Sequence, residues 1–262
     1  MRDHEGDDLE ADPADARHER RRDRRARRAA RRIRLATEKQ AVRERVWASL
    51  ERERAARFPG ARGRIPNFVG AERAAERLAA TTEWREARVL KCNPDAPQLP
   101  VRRRALADHK LVYMAVPRLR TEKPFLRLGR DATIKARDAT PLALDELEPI
   151  DLVVCGTVAV NRAGVRVGKG GGYSDLEFGL LVEAGLVGDA TTLATTVHPL
   201  QVLEELPETE HDFRVDLVVT PDETLTTPGP RGPRRPRGIL WEHLTPEKIA
   251  EIPVLSRAGS GA

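Results

Sequence analysis

Apolar positions change period along this 262-residue chain, and the changes mark its elements. From 39 to 58, Val42, Val46, Leu50 and Ala56 recur near helical spacing with charges between them, and Phe58-Pro59-Gly60 ends the run. A polar loop through Arg64-Ile65-Pro66-Asn67-Phe68 follows. Residues 71–80 then read as a second helix, with Ala75, Leu78 and Ala79 on one side and Glu72 in the first turn, where the helix dipole favours an acid. Short apolar runs at 87–90, 111–116, 150–155, 192–197 and 215–220 each predict a buried strand. Helical spacing at 101–107 and 176–186 falls between them. The alternation predicts an α/β fold: a mostly parallel sheet with helices on both faces, a Rossmann-like three-layer αβα sandwich.

Both ends lack this patterning. Residues 1–16 are acidic, and residues 17–34 hold eleven arginines with few apolar partners. Residues 1–35 are therefore expected to be a disordered tail, or at most a solvated helix. Beyond Thr220 the composition turns to that of a linker (Pro228-Gly229-Pro230-Arg231-Gly232-Pro233). Fraying is expected from Ser256 onward.

The net charge of +5 and the pI near 9.5 invite a nucleic-acid partner. The distribution argues against one for the folded part. Residues 1–34 carry a net +3, which leaves +2 for the other 228. Nucleic acid is expected, if anywhere, only on the arginine-rich tail. With aromatics at 4%, the core must rest on Leu, Val, Ile and Ala. Cys92 and Cys155 each follow an apolar run; two cysteines form neither a disulfide framework nor a four-cysteine zinc site, and they read as buried thiols in a reducing compartment. No apolar run reaches membrane-spanning length, and the N-terminus lacks a signal peptide's hydrophobic segment. A cytoplasmic protein without membrane contact is the expectation.

The most informative stretch follows the strand at 150–155. It reads Arg166-Val167-Gly168-Lys169-Gly170-Gly171-Gly172-Tyr173-Ser174-Asp175 and leads into a helix. Four glycines within five residues can turn successive backbone N–H groups toward an anion, and the helix adds its positive end. Arg166 and Lys169 bring full charges to the place where a phosphate would sit. Asp175 could cap the helix or hold Mg²⁺ through water. The stretch is neither a P-loop nor a dinucleotide fingerprint, and on its own it reads equally as a phosphate cradle or a plain tight turn.

This stretch resembles the Arg-Leu-Gly-x-Gly-x-Gly-Tyr-Tyr-Asp-Arg signature of the 5-formyltetrahydrofolate cyclo-ligases. Asp151 opening a strand, His198-x-x-Gln201, and His211-Asp212 before the strand at Val215 agree with that family. Its N-terminal Lys-x-x-x-Arg has a counterpart in Lys39 and Arg43, which share one helix face at i, i+4. Arg43-Glu44-Arg45-Val46-Trp47, Arg64-Ile65-Pro66-Asn67-Phe68, Pro117-Arg118-Leu119-Arg120-Thr121 and Gly238-Ile239-Leu240-Trp241 are similar to blocks of its methenyltetrahydrofolate synthase domain-containing subgroup. The similarity covers about 36–241, which places one α/β domain there and a C-terminal extension at 242–262.

The resemblance implies that ATP phosphorylates a formyl oxygen and that N10 of a reduced folate then closes the methenyl ring. It implies Lys39, Arg43, Gly168, Lys169, Gly170, Gly171, Gly172 and Tyr173 at ATP, Lys169 and Arg166 as catalytic cations, and Asp175 at Mg²⁺. Ser174 and Phe125 would lie on the substrate side. Ser174 replaces the signature's second Tyr and Leu176 its Arg, and Phe125 is the one aromatic where the family places a Trp against the pterin. An ATP-dependent enzyme on a non-folate substrate (thiamin-related, as for some relatives) and a non-catalytic RNA-binding member are the alternatives. Read from the residues alone, Lys39 and Arg43 fit a solvated helix face, Tyr173 a sheet-edge packing residue, His198 a turn residue and His211 a cap. Glu177 reads as a second metal contact or an ordinary helix-start acid.

Overall fold

The computed structural model describes residues 13–133, 135, 137–228 and 236–258. In chain order its strands are β1 (Val89–Cys92), β2 (Leu111–Ala115), β3 (Phe125–Arg127), β4 (Thr140–Leu142) and β5 (Leu152–Cys155), then β6 (Ala159–Asn161), β7 (Arg166–Val167), β8 (Thr192–Thr196), β9 (Val202–Leu203), β10 (Leu217–Val219) and β11 (Thr224–Thr226). Its helices are α1 (Pro13–Arg52), α2 (Ala71–Ala79), α3 (Thr82–Glu86), α4 (Leu99–Ala107), α5 (Tyr173–Glu183), α6 (Pro246–Glu251) and α7 (Pro253–Ala258).

Eight strands form one sheet in the order β11-β10-β8-β5-β1-β2-β3-β4. The inner run β10-β8-β5-β1-β2 is parallel, and β11, β3 and β4 join it antiparallel. Each of the five predicted strands lies in that parallel run. Alternate residues feed two cores. Val89, Tyr113 and Val153 face α5, whereas Leu90, Val112 and Val154 face α2, α3 and α4. Helices therefore cover both faces, which is the expected three-layer architecture.

Strand order fixes where a site can form. From β1 the chain crosses through α4 to β2 on one side; from β5 it crosses through α5 to β8 on the other. Connections thus diverge between β1 and β5, and a crevice opens at their carboxyl ends. A smaller sheet, β7-β6-β9, stands beside this crevice. Val46, Trp47 and Leu50 of α1 pack against Val158, Ala159 and Val167 there.

The described chain ends carry more structure than a disordered tail and a frayed end. Residues 13–34, expected to be disordered or a solvated helix, are the first turns of α1. After Pro13 the Arg- and Ala-rich stretch contains no Gly or Pro to interrupt a helix nucleated by the packed residues beyond 35. The side chains at 26–34 are exposed, as a solvated helix requires. Near the C-terminus, Ile252 and Leu255 are fully buried against the α5 face, and Ser256 Oγ donates to the Ile249 carbonyl at 2.9 Å. Packing therefore extends past 241 and past Ser256. Residues 1–12 of the acidic segment, 229–235 of the linker and 259–262 lie outside the described residues. Among the described residues, no helix is long and apolar enough to cross a membrane, and both cysteines are free and buried.

Candidate functional site

The crevice at the switch point is a cleft of about 1030 Å³. One wall is α1, whose buried positions Leu35, Lys39, Arg43, Val46, Trp47 and Leu50 form a single helical stripe. The stripe changes character along its length. Its apolar end packs on the small sheet, and its cationic end enters the cleft. At 8% and 9% exposure, Lys39 and Arg43 are not a solvated face.

The β6–β7 hairpin delivers the glycine loop to the facing side. Gly170 has φ +101°, and a Cβ there would lie 3.2 Å from Arg43 Cζ. Glycine thus lets the guanidinium lie directly against the loop, where Arg43 Nε donates to the Gly168 carbonyl at 2.7 Å. Gly172, at φ +69°, is the N-cap of α5 and offers no side-chain acceptor. The first N–H groups of α5 are left without intrahelical partners, beside Tyr173, Ser174 and Asp175, which line the cleft. Asp175 does not cap this helix. Its Oδ1 accepts from Arg166 Nη2 at 3.0 Å instead.

Arg166 is braced on three sides. Nη1 donates to the Gly156 carbonyl at 3.0 Å, Nη2 holds Asp175 and reaches Ser174 Oγ at 3.4 Å, and the Phe213 ring lies 4.2 Å from Cζ. Its buried Nε has no partner among the described residues. Lys39 Nζ donates to Asp212 Oδ2 at 2.5 Å and to Thr209 Oγ1 at 3.0 Å. Lys169 is the most exposed of these four cations: its Nζ lies 3.6 Å from Asp95 Oδ1, and its side chain is 52% exposed.

The two central carboxylates are poised in opposite directions. Burial pushes Asp175 up, and neighbouring Asp212 adds to this against Arg166, His211 and Lys39. Burial also pushes Asp212 upward, but Lys39 and the Thr209 amide and hydroxyl outweigh it, so Asp212 sits below the usual carboxylate value. At the floor of the cleft, which Asn93 and Glu177 line, Lys91 Nζ ion-pairs with Glu177 and donates to Asn93 Oδ1 at 2.8 Å. Burial draws the Lys91 ammonium down to about 8, with Cys155 and Cys92 opposing. Glu177, read earlier as a possible metal contact, is occupied by this lysine.

The structure brings together every residue expected at the site except one. Phe125 on β3 is fully buried in the α5-side core, opposite Ala115 of β2, and does not line the cleft. It is a core aromatic, and the expectation that it meets substrate is corrected. Tyr173 lines the cleft while its hydroxyl donates to Glu251 Oε1 at 2.9 Å and Lys248 Nζ stands 3.5 Å over its ring. His198 is a turn residue: its Nδ1 accepts from the Leu200 N–H at 3.2 Å. His211 lines the cleft, with Nε2 3.1 Å from Thr209 Oγ1. Sequence reasoning passed over Asp95 and any cleft role for Arg118 and Arg32. Proximity to the end of β1 could have found Asp95.

The chain matches the model of the 5-formyltetrahydrofolate cyclo-ligase family over residues 15–221. The methenyltetrahydrofolate synthase domain-containing protein of Bos taurus is 38% identical over 238 residues, 85% of this chain and 62% of that protein. Its Mus musculus counterpart is 39% identical over 233 residues, again 62% of that protein and 83% of this chain. The chain thus spans about three-fifths of the length of these relatives. The solved 5,10-methenyltetrahydrofolate synthetase of Aquifex aeolicus is 19% identical and aligns over 78% of this chain and 97% of that one, with a TM-score of 0.49.

Proposed function

Because the chain belongs to the 5-formyltetrahydrofolate cyclo-ligase family, we propose that it is an ATP- and Mg²⁺-dependent ligase that closes 5-formyltetrahydrofolate to 5,10-methenyltetrahydrofolate. The observation that carries this reading is the convergence of Lys39, Arg43, Arg166 and Lys169 on the unpartnered amides at the start of α5, within one cleft at the switch point. An amide oxygen is a poor leaving group. In the proposed reaction the formyl oxygen takes the γ-phosphoryl group from ATP, releasing ADP. N10 then attacks the formyl carbon, and the carbon–oxygen bond breaks as inorganic phosphate leaves. Charge on the moving phosphoryl group is the main demand on the protein, so positioned cations matter more than a strong base.

Each cation has a distinct part. Arg166 is fixed by Gly156, Asp175 and Phe213, so it meets the transferring phosphoryl group without reorganising. Lys169, half exposed on the loop, closes onto the γ-phosphate. Arg43 and Lys39 hold the phosphates from α1. Among the described residues no cluster of three or more His, Cys, Asp or Glu forms a protein-built metal cage. Mg²⁺ suits the site nonetheless, because it keeps water and phosphate oxygens as ligands and asks for one or two carboxylates; Asp175 would supply one. When bound, it neutralises phosphate charge.

A second reading, an ATP-dependent enzyme on a non-folate substrate, is favoured by one observation. With Phe125 in the core, Tyr173 is the only phenyl ring lining the described cleft, and it is already engaged by Lys248 and Glu251. Purified protein with Mg-ATP and 5-formyltetrahydrofolate decides between the two. The methenyl product has an extended conjugated amidinium, so near-ultraviolet absorbance should rise with ADP release. Mg-ATP binding with neither signal would leave the non-folate reading in place.

A further inference from the structure

Residues 17–34 of α1 hold eleven arginines and two acids, Glu19 and Asp23. At about 3.6 residues per turn, ten of the eleven arginine positions fall within one half of the helix circumference. Arg22 falls in the other half, together with both acids, Ala26, Ala29 and Ala30. The helix itself does not ask for this sorting. It sets one arginine four residues before another six times between Arg17 and Arg32, and each such like-charge pair weakens a helix. Acids placed at some of those positions would have strengthened it instead.

The arginine half is also the side on which α1 docks. Leu35, Lys39, Val46 and Leu50 fall in that same half, and all four are buried. Before residue 35 the side changes from buried to arginine, and the side chains at 26–34 are exposed. Arg24, Arg28 and Arg31 make no hydrogen bond or ion pair with the described residues. Arg34 pairs with Glu38 at 3.5 Å, both of them in solvent. The outcome is a cationic face about 27 Å long, most of one turn of a nucleic-acid duplex.

The chemistry of this face selects its partner. Ile33 is the only large apolar residue between 13 and 34, and it lies off the arginine half, so the helix has no apolar side to insert into a membrane. A protein partner would want a desolvated core that the face also lacks. Single strands are held by bases stacked on aromatic rings, and no Phe, Tyr or Trp occurs between 13 and 34. The major groove of duplex RNA is too deep and narrow to be entered, whereas that of duplex DNA admits an α-helix. No Asn or Gln is present there to read adenine. We infer that residues 17–34 form an arm that binds duplex DNA along its major groove, through the phosphates and without sequence preference. The arm does not depend on the chemistry of the cleft.

The test is fluorescence anisotropy of a labelled DNA duplex two turns long, titrated with the full chain over a range of potassium chloride. Binding should fall with salt, with log K against log salt sloping at about −4.5 or steeper, the value for five phosphates. Replacing Arg24, Arg28 and Arg31 together by Ala should weaken binding at least tenfold and make the slope shallower by about 2.7. Arg22→Ala, on the other half of the helix, should stay within twofold. Replacing the same three arginines by Lys should stay within threefold, because phosphate contacts ask mainly for charge. The triple Ala variant should melt with wild type, since alanine favours a helix. AT-rich and GC-rich duplexes should bind within threefold of each other. The inference is overturned if the duplex does not bind, if the triple Ala variant binds as wild type does, or if Arg22→Ala costs as much as that variant. A tenfold preference between the two duplexes would overturn the phosphate mode. Tighter binding to duplex RNA, to a single strand or to phosphatidylglycerol vesicles would overturn it in favour of that partner.

Discussion

Lys169 differs from the other cradle cations in being half exposed, and its contribution is the most open to measurement. If it closes on a phosphate, Lys169→Ala should weaken Mg-ATP binding by about 1.5–3 kcal/mol, the range for a hydrogen bond to a charged group. A screened surface lysine would change it by less than about 1 kcal/mol. Calorimetric titration of the two proteins reads this directly. The carboxylates offer a second measurement, through pH. Asp212 is held below its ordinary value of 3.8, so its contribution to stability is present above that pH and lost as pH falls through the lowered value. Asp175 is raised, so its contribution is present below 3.8 and lost as pH rises through the raised value. Urea melts between pH 3 and 7 should show wild type losing its advantage over Asp212→Asn on acidification. Against Asp175→Asn, wild type should instead gain as pH falls. Phe125 shows where residue-level reading stops. A lone aromatic in an aromatic-poor chain fits a core and a pocket equally well, and only the register of β3 against β2 separates them.

At the scale of elements, the Lys91–Glu177 pair ties β1 to α5 at the floor of the cleft. Removing one partner from a buried pair leaves an uncompensated charge, and Lys91→Met should cost about 3–5 kcal/mol of stability. The double variant Lys91→Met, Glu177→Leu should recover most of that loss in urea denaturation, since replacing a whole buried pair by apolar groups is often neutral. This pair was illegible in the sequence for a plain reason: the run at 87–90 reads as a strand that ends at Leu90, whereas β1 continues through Lys91 to Cys92. Strands β2, β5 and β10 were legible because burial on both faces leaves near-continuous apolar runs, and β8 through its β-branched threonines around Leu193 and Ala194. Strands of two or three residues, such as β7 and β11, carry no period and were missed. At 17–34 the sequence left two forms open, a disordered tail and a solvated helix, and the described residues form the helix. Few apolar residues argue against a core, but not against a helix that a packed neighbour has already nucleated.

The whole molecule builds its cleft from parts that are far apart in the chain. Lys39 and its partner Asp212 are separated by 173 positions, and Asp95, Arg118 and Arg166 come from three further segments. An unfolded chain does not bring these segments together, so a nucleotide bound in the cleft favours the native state. Mass action then makes the nucleotide a stabiliser: at about one hundred times its Kd, Mg-ATP should add about 2.7 kcal/mol to the free energy of unfolding. The expected signature is a melting temperature that climbs with each tenfold rise in Mg-ATP, and climbs less for Lys169→Ala at equal concentration. Proteolysis should slow in parallel, because a protease cuts the open form whose population the ligand depletes. The lifetime of the folded chain would thereby report the supply of the phosphoryl donor proposed for it.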